Sequence, residues 1–128
     1  MPAALVIERD VVLRNIVRSL LMAQGFEMLD AANALEALTL CKSLEDPPLD
    51  LLIVDHALEG ATPAWNSREI AAQIERWLPG IKVLVISECP YQRVFADGLP
   101  DGSWFLRKPF TATQLLDMVR EILQPRIQ

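Results

Sequence analysis

The chain has 128 residues, which is enough for one domain with a single hydrophobic core and leaves no room for a second. Hydrophobic residues make up 52% and charged residues 23%, a balance that excludes a disordered tail and indicates a compact globular protein. The formal net charge of −5 argues against bulk electrostatic binding, so we expect neither nucleic acid nor a membrane surface as a direct partner.

The sequence offers no targeting or redox signal. No apolar run approaches the roughly 18 residues that a membrane span needs, and the first residues lack the basic start of a signal peptide. Cys41 and Cys89 lie far apart without CxxC spacing, so we expect two reduced, partly buried thiols. Together these features predict a cytoplasmic protein.

Strand and helix patterns alternate from the start of the chain. Ala4–Ile7 is an apolar run typical of a strand, and Asp10 is placed to cap a helix that ends at Gly25. The apolar positions of this helix share one face: Leu13, Ile16, Val17, Leu20 and Leu21. Phe26–Leu29 predicts a short second strand.

A second helix is predicted where Asn33 and Glu36 have the spacing of a capping box. Its buried stripe comprises Leu38, Cys41 and Leu44. Pro47 and Pro48 close this unit, and the continuous apolar run Leu51–Val54 is expected for a central parallel strand that is covered on both faces.

A third helix is predicted before Pro79 and Gly80, with an apolar side formed by Ile70, Ile74 and Trp77. Val83–Ile86 is a second fully apolar strand pattern. The segment that follows leaves space for only a short helix, about Tyr91–Ala96, because it is rich in helix-breaking residues: Pro90, Gly98, Pro100 and Gly102.

The last unit consists of a strand at Trp104–Leu106 and a helix that begins with the capping box of Thr111 and Gln114. The buried positions of that helix are Leu115, Val119 and Ile122. Five strand–helix repeats predict an α/β fold with a doubly wound, five-stranded parallel sheet and helices on both faces. Ligands of such sheets bind outside the carboxyl ends of the strands.

Polar residues follow four of the five predicted strands, and the fold brings these strand ends to one edge of the sheet. They are Glu8 and Arg9 after the first strand, Asp55 after the third, Ser87 after the fourth and Lys108 after the fifth. A carboxylate can accept a phosphoryl group while a hydroxyl and an ammonium hold its oxygens, so this set favours phosphoryl chemistry.

Five segments in this order and spacing resemble response-regulator receiver domains of two-component signalling, of the kind typified by chemotaxis regulators. They are ALVIERD, GFEMLDAANALEAL, LDLLIVD, VLVIS and WFLRKPF. The resemblance covers about residues 4–123, and it implies that residues 1–128 form a single receiver domain with the flavodoxin-like strand order 2-1-3-4-5.

The resemblance also implies roles for individual residues. Asp55 matches the phosphoacceptor, Lys108 the lysine that pairs with the phosphoryl group, and Ser87 the hydroxyl that contacts it and switches together with Phe105. In the same way Glu8, Asp55 and the backbone carbonyl of Ala57 match the ligands of Mg²⁺. The peptide bond between Lys108 and Pro109 matches one that is often cis in the family.

One departure changes the chemistry of this acidic pocket. The family's second acid, a direct Mg²⁺ ligand, is Arg9 in this sequence. Glu8 and Asp55 then face Arg9 and Lys108, a formally neutral set, so we expect the Arg9 guanidinium to contact Asp55 or Glu8 and to occupy the position of the cation. The sequence therefore predicts that Mg²⁺ binds weakly or not at all.

Two functions remain open. In the first, a sensor histidine kinase or phosphotransfer protein donates a phosphoryl group to Asp55, and the chain, which is not an enzyme beyond self-phosphorylation, signals through altered partner binding. In the second, the chain is a pseudo-receiver interaction domain in which Arg9 replaces the metal and no phosphotransfer occurs. A flavin-binding domain of the same topology is a weaker third hypothesis, because the loop after the first strand lacks the Ser, Thr or Gly of a phosphate-binding loop.

The resemblance also places the signalling surface on the segment from the fourth to the fifth helix. If Tyr91, Trp104 and Phe105 leave apolar area exposed there, we expect a downstream partner or a second copy of the chain to cover it. Glu88 is expected to be a solvated loop acid. His56 is a single imidazole without metal-ligand spacing around it, so we predict that it lies on the surface.

Overall fold

The computed structural model describes residues 2–43, 49–56 and 66–124. Its five strands are β1 Ala3–Ile7, β2 Glu27–Ala31, β3 Leu51–Asp55, β4 Lys82–Ser87 and β5 Trp104–Arg107. Its five helices are α1 Val11–Ala23, α2 Ala34–Ser43, α3 Ser67–Trp77, α4 Tyr91–Asp97 and α5 Ala112–Leu123. All strand pairs are parallel and the sheet order is β2-β1-β3-β4-β5, as predicted.

The sheet is covered on both faces because neighbouring side chains of a strand point to opposite sides. On one face, α1 and α5 pack against Val6, Ile53 and Ile86. On the other, α2, α3 and α4 pack against Leu5, Leu52 and Val85. The central strands β1, β3 and β4 are therefore apolar in their interiors, and their polar residues lie at the strand termini.

Three of the predicted helix caps are present. Asp10 accepts hydrogen bonds from the N–H groups of Val12 and Leu13 at the start of α1. The box at α5 is complete, since Thr111 and Gln114 each bind the other's backbone N–H. At α2 one bond of the capping box differs. Asn33 accepts from the N–H of Glu36 as expected, but the Glu36 carboxylate accepts from the N–H of Ala32 and not from that of Asn33.

The sequence-based boundaries differ from the structure in a few places. β2 begins at Glu27, because the N–H of Phe26 donates to Leu21 in the turn after α1. Ile16 is 48% exposed, not part of the buried face of α1. Trp77 is also partly exposed, at the end of α3, where the Lys42 ammonium lies over its ring. The predictions for Leu44, Pro47, Pro48 and Ala57 fall outside the described residues.

Both cysteines are free thiols, Cys41 buried and Cys89 partly buried, as predicted. Within residues 2–43, 49–56 and 66–124, no helix combines the length and the apolar character that crossing a lipid bilayer would require.

The capping box of α5 makes a testable contribution to stability. We expect Thr111→Ala to lower the free energy of unfolding by about 1 kcal/mol, because the N–H of Gln114 loses its acceptor. Thr113→Ala is the matched control, since Thr113 is exposed within the same helix. Urea denaturation measures both variants, and equal costs for the two substitutions would contradict a capping role.

Candidate functional site

The carboxyl ends of four adjacent strands meet at one edge of the sheet and bring the predicted site residues together. Lys108, just after β5, donates a hydrogen bond from Nζ to Glu8 Oε1 at 2.6 Å. The same Nζ lies 3.4 Å from Asp55 Oδ2. The clustering of Glu8, Asp55 and Lys108 is therefore confirmed, while their chemical roles stay predictions.

The strand register produces this convergence. Ile7 pairs with Val54 across β1 and β3, and Asp55 pairs with Ile86 across β3 and β4. Each strand therefore ends at the same level. The backbone N–H of Lys108 donates to Ser87 O at 2.8 Å, which fixes the start of the loop that carries the lysine. The peptide bond between Lys108 and Pro109 is cis, as the resemblance predicts.

Glu8 occupies the least accessible position of the cluster, with 1% of its surface exposed. Burial raises the pKa of its carboxyl to about 7, although the hydrogen bond from Lys108 lowers this pKa. The negative charge of Asp55 raises it further. Its second oxygen, Oε2, is buried and accepts no hydrogen bond from any residue that the structure describes. Around neutral pH, Glu8 therefore exists in both protonation states.

The ammonium of Lys108 responds differently to the same surroundings. Burial lowers its pKa, but the hydrogen bond to Glu8 and the charges of Asp55 and Glu8 outweigh burial, so the pKa of Lys108 is raised. Lys108 is thus a fixed positive charge over the ordinary pH range.

Arg14 anchors the strand end from which Glu8 projects. Its Nη1 donates to Glu8 O at 2.8 Å, and its Nε pairs with Asp30 Oδ2 at 3.2 Å. Sequence reasoning missed this residue, because Arg14 lies on the predicted first helix and nothing in its spacing indicates a contact with β2. It joins α1, β1 and β2 directly beneath the site.

Arg9 is exposed and lines a cleft of about 240 Å³ together with Glu8, Asp55, Ser87 and Lys108. The cleft is large enough to hold a phosphoryl group. The position of Arg9 at this cleft agrees with the expectation from the sequence, and direct contact of its guanidinium with Asp55 or Glu8 stays a prediction.

The two predicted switch residues lie on neighbouring strands. Ser87 is buried, and its Oγ accepts a hydrogen bond from the N–H of Cys89 at 3.0 Å. Phe105 is half-buried, and its ring meets the ring of Tyr91 edge-on at a centroid distance of 5.5 Å. Tyr91 remains 48% exposed, so part of the predicted signalling surface is accessible. Glu88 is exposed, as predicted.

The prediction that His56 lies on the surface is wrong. It is only 6% exposed, and its ring nitrogens lie 2.9 Å from Ser67 Oγ and 3.2 Å from Asp97 Oδ2. The reason is that β3 extends through Asp55, so the side chain of the next residue, His56, lies between α3 and α4. Ser67 and Asp97 are distant in sequence, so no local pattern indicates this contact.

Comparison with known proteins agrees with the architecture. The receiver domain of the hybrid histidine kinase CckA is 28% identical, with a TM-score of 0.76 over 95% of this chain and 99% of that one. A CheY-like receiver domain protein from Methanospirillum hungatei JF-1 has a TM-score of 0.79 over 94% and 92%, at 20% identity. A receiver protein from Sinorhizobium medicae WSM419 has a TM-score of 0.81 over 98% and 97%, at 23% identity.

This fold is that of a response-regulator receiver domain. Among curated sequences, a probable transcriptional regulator, ycf29 of Pyropia yezoensis, is 28% identical over 122 residues, which is 93% of this chain. The chain spans about half the length (52%) of that relative. No protein-family model matches the sequence.

The ligand requirements of Mg²⁺ can be compared with the described part of the cleft. Mg²⁺ prefers several oxygen ligands in octahedral geometry, and no group of three or more acidic, His or Cys side chains suited to a metal occurs among the described residues. Glu8 and Asp55 instead share the ammonium of Lys108. The buried Oε2 of Glu8 is one oxygen without a hydrogen-bond partner among the described residues. Arg9 occupies the sequence position at which the family has its second metal-binding acid.

The raised pKa of Glu8 makes a prediction about stability. The unfolded state loses this proton near pH 4.5 and the folded state near 7, so the contribution of Glu8 to stability falls as pH rises through that window. Lys108 keeps its charge throughout the window and does not alter this slope. The shift corresponds to about 3 kcal/mol.

Urea denaturation in EDTA between pH 4.5 and 8 tests this expectation. As pH rises, the free energy of unfolding of Glu8→Gln should increase relative to that of the wild type by up to about 3 kcal/mol, because the amide does not ionise. Glu75→Gln, at an exposed position of α3, is the control and should follow the wild type. A constant difference between Glu8→Gln and the wild type across the range would show that Glu8 titrates normally.

Proposed function

We propose that this chain is a receiver module of two-component signalling that accepts a phosphoryl group on Asp55 and acts by altered partner binding. The contact that supports the proposal most directly is the Lys108 ammonium, which bridges Glu8 and Asp55 at the strand ends of a receiver fold. The donor is a sensor histidine kinase or a phosphotransfer protein. The resemblance to the receiver domain of a hybrid histidine kinase favours such a donor.

The chemistry uses side chains of the cleft. A carboxylate oxygen of Asp55 attacks the phosphorus of a phosphohistidine, the phosphorus–nitrogen bond breaks, and the electron pair leaves with the imidazole, which takes up a proton. The product is an acyl phosphate on Asp55. Lys108 lies 3.4 Å from the attacking carboxylate and can move its hydrogen bonds from Glu8 to the incoming phosphoryl oxygens.

The second candidate function is the pseudo-receiver, and Arg9 is the observation that favours it. Arg9 lines the cleft at the position of the family's metal-binding acid, and with Lys108 it gives the cleft two cationic side chains. In this form the chain is an interaction domain whose surface is fixed, because its own cations balance Asp55 permanently.

Both functions need a protein partner, for which the exposed aromatic surface of α4 is the proposed site. Tyr91 is 48% and Phe95 is 63% exposed, and their rings lie 5.8 Å apart. Aromatic side chains that remain exposed together mark protein contacts. A downstream partner or a second copy of the chain would cover them. The cytoplasmic location also stays a prediction.

Phosphorylation of Asp55 can be measured directly. Intact-mass spectrometry after incubation with acetyl phosphate should show the gain of one phosphoryl group in the wild type and none in Asp55→Asn. The gain should be slow and depend little on Mg²⁺, because Arg9 takes the position of the family's second metal-binding acid. No gain under any condition, with the protein folded, would reject the phosphoacceptor function in favour of the pseudo-receiver.

Changing Arg9→Asp tests whether Arg9 weakens Mg²⁺ binding at the cleft. The substitution adds a carboxylate and removes a cation, so Mg²⁺ affinity should rise by at least roughly tenfold, at some cost in stability without metal. Calorimetric titration compares this variant with the wild type and with Arg93→Asp, a control at an exposed position of α4. Tight Mg²⁺ binding by the wild type would contradict the account, because Glu8, Asp55 and backbone oxygens would then suffice.

A further inference from the structure

The buried imidazole of His56 joins three elements next to the candidate site. Its Nδ1 lies 2.9 Å from Ser67 Oγ at the start of α3, and its Nε2 lies 3.2 Å from Asp97 Oδ2 at the end of α4. The backbone is held too, since its N–H donates to Ile86 O at 2.9 Å and its carbonyl accepts from the N–H of Ser67 at 3.2 Å. His56 directly follows Asp55, so a shift of that strand end moves the ring.

Both hydrogen bonds of the ring are satisfied in either protonation state. The carboxylate of Asp97 only accepts, so Nε2 carries a proton and donates to it. In the neutral ring, Nδ1 then accepts from the hydroxyl of Ser67; in the imidazolium, Nδ1 donates and the hydroxyl rotates to accept. The bridge therefore persists whether or not His56 is charged.

Helix α4 has few other anchors. It has seven residues, all of them described, and Val94 is the one that is buried. Pro90 at its N-terminus makes no side-chain capping bond. A helix this short is unstable by itself and takes its position from tertiary contacts. Its last residue is Asp97, so the bond to His56 fixes the end of the helix that also carries the exposed ring of Phe95.

We propose that His56 is a positioning residue that couples the state of Asp55 to the orientation of α4. A change in charge or bonding at Asp55 displaces the adjacent imidazole, and the bond from Nε2 to Asp97 carries the displacement to α4 and its exposed rings. The use of this coupling in signalling rests on the proposed function. The coupling itself requires only the bridge, so it holds in the pseudo-receiver as well.

Amide hydrogen exchange of α4 tests the bridge, with the amides of Val94 and Gly98 as reporters because both donate within this helix. Asp97→Ala should raise their exchange rates by roughly tenfold, the cost of a hydrogen bond to a charged group. Removing an acid from a helix C-terminus otherwise stabilises the helix, so faster exchange is diagnostic. Asp97→Asn keeps an acceptor for Nε2 and should restore slow exchange, and Asp101→Ala, an exposed control, should have no effect.

A double-mutant comparison tests the coupling. Asp55→Asn should change the exchange of Gly98 by roughly threefold in the wild-type background and leave it unchanged in Asp97→Ala. Wild-type exchange in Asp97→Ala would refute the bridge. No effect of Asp55→Asn in the wild type, or an equal effect in both backgrounds, would refute the coupling. The proposed function is tested by a different measurement, the mass gain from phosphorylation of Asp55, so its failure can be told apart from failure of the coupling.

Discussion

One ammonium group shared by two carboxylates governs the candidate site. Lys108 lies 2.6 Å from Glu8 and 3.4 Å from Asp55, and Glu8 is almost completely buried. An uncompensated charge at such a position costs several kcal/mol, so the lysine stabilises the folded state. Burial of the Glu8 carboxyl raises its pKa to about 7 against the hydrogen bond from Lys108, and the charge of the partly buried Asp55 adds to the rise.

The same arrangement sets the charge of the cleft. Lys108 and Arg9 supply positive charge at the cleft from the chain itself, beside the carboxylates of Glu8 and Asp55. The difference between accepting a phosphoryl group and acting as a fixed interaction domain then depends on whether Lys108 can leave Glu8 for a phosphoryl oxygen. Arg14 holds the backbone of Glu8 in either case, so the carboxyl keeps its place when the lysine moves.

The sequence predicts the fold well because its signals are local. Continuous apolar runs identify the buried central strands, and Thr111 with Gln114 identifies the start of α5. The cluster of Glu8, Asp55 and Lys108 follows from topology, since parallel strands end at one edge. What sequence reasoning missed depends on contacts between distant residues. His56 was predicted on the surface because Asp97, 41 positions away, gives no local signal, and Arg14 was overlooked for the same reason.

A carbon-13 NMR titration of the Glu8 side-chain carboxyl, in EDTA, tests the shared ammonium most directly. We predict a midpoint at about 7, well above the ordinary value of 4.5, together with a chemical-shift change at Lys108 Cε over the same pH range. A midpoint near 4.5 without a response at Lys108 would contradict this prediction, because Glu8 would then be a solvated carboxylate outside a dry, lysine-bridged pocket.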